Sequence, residues 1–353
     1  MIDFFDKLTN SYQNKLPFVA YRKPNANTVA CFLMPNDNLD YVKDFNEQGF
    51  VFAPFNSAEK PLLFPMEKTL FLSEKIQLGT INFNKNRVEP NSSSKEKHTE
   101  IVEKAIQTIK KSKLKKVVIS RKEIAQLSNL DIVKIYQRLL LSYNNAFVYV
   151  WYHPKVGLWF GASPETLLQV ENKFFKTMSL AGTQLYKENS LPVWKSKELE
   201  EQQLVTDFIE NQLQDIATSL KIDKTETVKA GNLLHLKTQV TGQLQANASL
   251  KNLIRALHPT PAVCGLPRDL AKDFILENED YDRSFYTGFL GELNINSSKL
   301  NKQKTELFVN LRCMSVDDYK AIIFVGGGVT KDSIAKKEWQ ETVSKTQTIK
   351  KVL

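Results

Sequence analysis

Short runs of β-branched and aromatic residues recur along this chain without the regular strand–helix alternation that a parallel sheet needs. Residues 18–21, 29–34, 49–54, 116–120, 146–151, 157–161, 166–170, 306–312 and 321–325 all read as strands. Long helical periods are expected at about 98–113, 196–220 and 333–351. Strands that cluster in this way favour an α+β domain with largely antiparallel sheets over a doubly wound fold. Residues 84–97, with Ser92, Ser93 and Ser94 flanked by charges, read as a surface connector. With 353 residues, 42% of them hydrophobic, the chain can bury a large core. The length permits two domains, and equally one mixed domain over 1–353, which is the reading adopted.

Composition narrows the partners. The net charge is +9, but the densest basic run, 110–116, is broken by Ser112 and Leu114 and carries no aromatic residues. A single-strand binder would interleave them, so a nucleic-acid partner is not expected. A solvated surface with attraction for a small anion is the simpler reading. No apolar run reaches the roughly 18 residues of a membrane span. Residues 1–10 include Asp3 and Asp6 and do not read as a signal peptide. Three scattered cysteines, Cys31, Cys264 and Cys313, point to a reduced, cytoplasmic protein and offer no zinc cluster.

Several polar residues stand where a buried face should run. In the helix from Ser196, the stripe Leu204, Val205, Phe208, Ile209, Leu213 and Ile216 extends backwards onto Glu201 and Glu198, while Glu200 and Gln203 face outward. Either both carboxylates are buried and need a cation, or the first turn protrudes into water. In the last helix Ala335, Trp339 and Val343 form an apolar stripe beside Glu338, Glu341 and Lys345. That second stripe is either a surface ion-pair ladder or half of a hard-cation site. Gly326, Gly327 and Gly328 follow an apolar strand and read either as a turn or as amides approaching an anion. Lys116 either snorkels outward or is buried as a base. Glu165, following Trp159 and Phe160, is either a surface charge or a carboxyl kept protonated by an apolar setting.

Taken in order from Lys116 to Lys345, these residues form a pattern that resembles the chorismate-utilising enzymes: isochorismate, salicylate, anthranilate and aminodeoxychorismate synthases. The matching segments are 116–121, 161–165, 179–183, 257–267, 285–288, 311–313, 326–328 and 338–342 with Lys345. Residues 98–353 carry the motifs; the first 90 or so match weakly and are expected to complete the same fold. The resemblance implies two large packed antiparallel sheets flanked by helices, with the site between them. It implies Mg²⁺ as cofactor, held by Glu201 and Glu341 and supported by Glu198 and Glu338. Lys116 would be the base that activates water for attack at C2 of chorismate, and Glu165 the acid that protonates the departing 4-hydroxyl. Arg312 and Tyr286 would hold the enolpyruvyl carboxylate. The amides around Gly182, Thr183, Gly326 and Gly328, with His235 and Lys345, would complete the anion site.

Three positions narrow the reaction within the family. Lys116 resembles the water-using branch, Ala181 stands where aminodeoxychorismate synthases often place lysine, and Ala262 stands where salicylate synthases commonly have threonine. The pattern therefore implies an isochorismate synthase, acting as a monomer on free chorismate. Salicylate synthase, or a silent anion-binding relative, is the alternative. Two departures stand out: Gln202, where histidine is common, and Lys337, where a small residue is common. Removal of Glu201 is expected to spare the fold, since a lone carboxylate contributes little to it.

Overall fold

The structure, a computed structural model, describes residues 3–76, 92–186, 188, 192–230, 233–297 and 302–353. Its strands form two antiparallel sheets. The first, in spatial order, runs Gly265–Leu266, Lys116–Gln126, Lys320–Thr330, Cys313–Asp317, Gly157–Ser163, Phe147–His153, Phe18–Arg22, Thr28–Leu33 and Leu70–Lys75. The second runs Ala217–Ile222, Leu233–Leu244, Phe174–Leu185, Thr166–Glu171, Lys302–Val309, Phe289–Ser297, Gly49–Ala53, Leu62–Pro65 and Asp40–Tyr41, with Glu226–Ala230 also on Leu233–Leu244. The N-terminal strands that match the family pattern weakly complete one edge of each sheet.

The side-chain period of a strand explains the packing. In Phe147–His153, Phe147, Tyr149 and Trp151 face an aromatic core between the sheets, while Val148 and Val150 face the outer helices. Both faces are covered, so the run is apolar throughout rather than alternating with polar residues. Rings from opposite sheets stack directly: Phe147 on Phe308 at 4.2 Å, and Phe64 on Trp151 at 5.4 Å. Helices Phe4–Gln13 and Ile132–Ser142 cover the outside of the first sheet, and Ser196–Leu213 with Leu250–Leu257 cover the second. Among the described residues, no helix is long and apolar enough to cross a membrane.

Three sequence expectations are corrected and one open alternative falls. The helix expected to reach residue 220 ends at Leu213, and Ala217–Ile222 becomes a strand. Register with Leu233–Leu244 wins over helical spacing there. The serine-rich connector lies in part outside the described residues, but its end belongs to the helix Ser92–Lys111. Residues 326–328 are no turn: they continue the strand Lys320–Thr330, opposite Ser120, Ile119 and Val118. Finally, the strand expected over 306–312 stops at Val309 and leaves Arg312 outside it.

Candidate active site

Two chain crossings carry the polar centre. Strand Gly157–Ser163 lies in the first sheet and Thr166–Glu171 in the second, so Pro164 and Glu165 form the crossing between them. Residues 310–312 make the reverse crossing, from Lys302–Val309 to Cys313–Asp317. Glu165 and Arg312 thus sit in the seam between the sheets. The two crossings are tied together: Val309 N donates to Glu165 O at 3.0 Å, and Ala162 N to Arg312 O at 3.0 Å. The Ser163 hydroxyl donates to Val309 O at 2.5 Å. Asn310, fully buried, accepts from the Tyr149 hydroxyl at 2.6 Å and donates to Phe285 O at 2.9 Å. Arg312 has φ +48°, a left-handed backbone unusual for a residue with a side chain, and this tight network holds it.

A cavity opens at this seam. It is lined from the first sheet by Val118 and Gly326–Gly328, and from the second by residues 180–183 and His235. Glu198 and Glu201 enter from one helix, Glu341 and Lys345 from the last helix, and Glu165, Ala262, Tyr286 and Arg312 from connections. Glu338 is buried but is not part of this lining. Glu198, Glu201, Glu341 and the three glycines thus border the cavity, and Lys116, Glu165 and Glu338 are buried. Lys337 is exposed, so its departure from the family pattern faces outward.

Glu165 is 3% exposed, and burial pushes its carboxyl up to about 8, against the opposing pull of Lys116 and Arg312. The carboxyl is therefore protonated at neutral pH. Phe160, one of the two aromatics expected to cause this, belongs to the outer core beneath the helices, so burial in the seam is the better physical cause. Lys116 opens its strand fully buried, with Nζ 2.8 Å from Glu201 Oε1. This is an ion pair in distance but lacks the directionality of a hydrogen bond. Lys345 Nζ lies 2.6 Å from Glu341 Oε1 and donates to Gly326 O at 3.0 Å. The Arg312 guanidinium makes no hydrogen bond or ion pair among the described residues, although Glu341 and Glu165 lie within electrostatic reach. Burial keeps the Tyr286 phenol protonated, so it remains a donor.

His235 borders the cavity in an orientation that its backbone partner fixes. Its Nδ1 lies 3.0 Å from Gly182 O, and a carbonyl can only accept, so Nδ1 carries the proton. Burial, with Arg312 and Lys345 nearby, pushes its pKa down to about 3. Nε2 is then a bare, buried lone pair without a partner among the described residues. Such a group accepts a hydrogen bond from water or a hydroxyl; it does not attract a carboxylate.

The glycines supply room. A Cβ on Gly328 would stand 2.8 Å from Glu201 Oε1 and 3.0 Å from Lys116 Cε, and one on Gly327 would touch Glu338 Oε2 and Glu341 Oε1 at 3.8 Å. Gly182, at φ +62°, forms a bulge in its strand between Ala181 and Thr183. Sequence reasoning missed what holds that bulge. Gln202 Oε1 accepts from Ala181 N at 2.9 Å. Its Nε2 donates to Ser179 Oγ at 2.8 Å and Thr238 Oγ1 at 3.0 Å. Only its position beside Glu201, as a departure from the pattern, marked it beforehand.

Glu201 and Glu341 both line the cavity and offer hard oxygen donors, and each is balanced by an ammonium group. Among the described residues, no three His, Cys, Asp or Glu side chains converge closely enough to cage an ion. Mg²⁺ commonly takes one or two carboxylates and completes its shell with water and ligand oxygens, so this donor set fits it. The free volume is only about 90 Å³, well below the roughly 300 Å³ of a small-molecule pocket.

A family model described as "Chorismate binding enzyme" matches residues 66–353. Isochorismate synthase MenF of Pasteurella multocida is 29% identical over 252 residues, 68% of this chain and 57% of that protein. The chain thus spans little more than half the length of that relative. The vibriobactin-specific isochorismate synthase of Vibrio cholerae is 28% identical over 313 residues, 85% of this chain and 78% of that one. In three dimensions, the menaquinone-specific isochorismate synthase of Escherichia coli matches with a TM-score of 0.79, over 96% of this chain and 88% of that one. Its 22% sequence identity lets this last likeness speak for the fold alone.

Proposed function

Because the chain belongs to the chorismate-binding enzymes, we propose that it converts chorismate to isochorismate, adding water at C2 and expelling the 4-hydroxyl as water. The observation that carries this reading is Glu165, a carboxyl held near pKa 8 within electrostatic reach of a buried lysine and an arginine. Hydroxide is a poor leaving group and water a poor nucleophile, so the reaction needs a proton given at one carbon and taken at another. Glu165 supplies the first as a neutral acid. Lys116 supplies the second, once its amine has let go of Glu201 and of its proton. The Glu165 carboxylate and the Lys116 ammonium left afterwards exchange protons with solvent to reset the site.

Arg312 and Tyr286 hold the enolpyruvyl carboxylate, a bidentate task suited to a guanidinium without another partner. The Gly182 bulge and Lys345 face the remaining anionic edge, and His235 Nε2 accepts from a hydroxyl or from the attacking water. Glu201 and Glu341 would hold Mg²⁺, with Glu198 and Glu338 in support. When bound, the cation would supply positive charge to the ring carboxylate and relieve the carboxylates of their lysine partners. Ala262, which lines the cavity, favours retention of the pyruvyl group over its elimination. Incubation with chorismate and Mg²⁺, followed by chromatographic separation, tests the reading. Isochorismate should accumulate, and stoichiometric salicylate and pyruvate would move the protein to the eliminating branch.

A further inference from the structure

A second cavity, of about 520 Å³, lies outside the site just described. The two share one wall: Tyr286 and Thr287 line the catalytic cavity, and Phe289 lines the other. His258 also lines the second cavity, and its Nε2 is 3.0 Å from Thr287 O, which fixes this wall from behind. The deep residues are apolar: Phe45, Ile254 and Phe289 are each under a tenth exposed.

The rim is basic. Lys43, Lys60, Lys251 and Arg255 line it, and none of them is in an ion pair among the described residues. The Lys251 ammonium donates only to Lys43 O, at 3.4 Å, and Lys60 lies over the Tyr41 ring at 6.0 Å. Two acids share the rim, Asp40 and Glu59, and Asp40 is already matched by Lys68 at 2.6 Å. Asp44 lies near Lys251, with its carboxylate turned to the Asn46 amides. The rim therefore keeps an excess of positive charge above an apolar floor.

We propose that this cavity is a binding site for a small aromatic carboxylate, distinct from the catalytic cavity. A basic rim alone would accept any anion; the apolar floor selects one that carries a hydrocarbon body. The volume lies within the range of small-molecule pockets, roughly 300–1,000 Å³. Arg255 presents a planar fork that matches a carboxylate in two hydrogen bonds. Lys251 and Arg255 lie one turn apart on the helix Leu250–Leu257, so both cations reach the same head group. The inference does not depend on the activity proposed above.

The test is a titration of the full chain with 2-naphthoate, followed by its fluorescence anisotropy, with and without excess chorismate and Mg²⁺. One saturable site should appear in both conditions. The Lys251→Glu/Arg255→Glu double variant should weaken binding by about tenfold or more, the equivalent of ~1.4 kcal/mol, with an unchanged melting temperature. Ser57→Trp, an exposed rim position, should block the cavity and weaken binding without touching the charges. Absence of saturable binding up to about 1 mM, the weak end of specific affinity, would overturn the proposal. So would displacement by chorismate, which would place the probe in the catalytic cavity, or full affinity in the folded variants.

Discussion

Glu165 binds its proton more tightly in the fold than in water, and this has a catalytic and a thermodynamic consequence. As the proposed acid it would work only while protonated, so kcat/KM should fall as pH rises through about 8. A pH–rate profile at chorismate concentrations well below KM checks this, and a profile flat across that range would remove Glu165 from the acid role. Glu165→Gln and Lys116→Ala should each lower kcat by roughly 10² or more, while chorismate binding, measured calorimetrically, persists. The same shift costs stability. Below about 4.5 both folded and unfolded carboxyls are protonated; above it the unfolded chain gains by ionising, while the folded carboxyl stays neutral up to about 8. Stability is thus lost progressively across that window. Glu165→Gln, which cannot ionise, should be more resistant to urea than the wild type at pH 8, with the gain shrinking toward pH 4.5. A variant equally stable at both pH values would contradict the shifted carboxyl. The burial of Glu165 was one of two readings its apolar neighbours allowed, and the acid role came from the family resemblance; the crossing between sheets that buries it was not legible, because no local pattern encodes which sheet the next strand joins.

At the scale of elements, the helix Ser196–Leu213 and the bulged strand Phe174–Leu185 must keep register, since one carries Glu198 and Glu201 and the other Gly182. Gln202 is their cross-tie. Gln202→Leu would strand the Ala181 amide, at roughly 1–3 kcal/mol, and would take one partner each from the Ser179 and Thr238 hydroxyls, which keep Thr206 and Thr225. Both stability and chorismate affinity should drop. Gln202→His, which can still accept with one ring nitrogen and donate with the other, should recover most of both. Recovery by leucine instead would mean that packing, not hydrogen bonding, holds the bulge. The neighbouring Glu201 changes the expectation drawn from sequence. It faces a fully buried ammonium, so Glu201→Ala leaves Lys116 uncompensated and should cost ~3 kcal/mol of stability, besides activity. Chelation with EDTA should abolish turnover and Mg²⁺ restore it, with the fold intact; full activity after exhaustive chelation would dismiss the metal. The turn reading of the glycine run fell for a related reason. Its absence of side chains answers to Glu201 and Lys116 across the cavity, a tertiary demand that looks like a turn signal in one dimension.

In the molecule as a whole, strand positions were legible because both faces of a packed sheet demand apolar residues. The helix end at Leu213 was not, because Ile216 and Leu220 keep a helical spacing although the first lies in a turn and the second pairs on a sheet edge. The residues lining the cavity come from both sheets, two helices and several connections, so sequence order alone could bring them together only through a family pattern. The central claim is that this seam adds solvent water to one ring carbon and expels hydroxide from another. The most direct measurement is a single incubation of the protein with chorismate and Mg²⁺ in ¹⁸O-enriched water, with the product's hydroxyl examined by mass spectrometry and NMR. The account predicts isochorismate carrying one solvent oxygen at C2, with none of that product formed by Lys116→Ala at a comparable rate. Isochorismate without solvent label would mean that the hydroxyl migrates within the substrate, and it would contradict Lys116 as the base that activates water and Glu165 as the acid that releases the 4-hydroxyl.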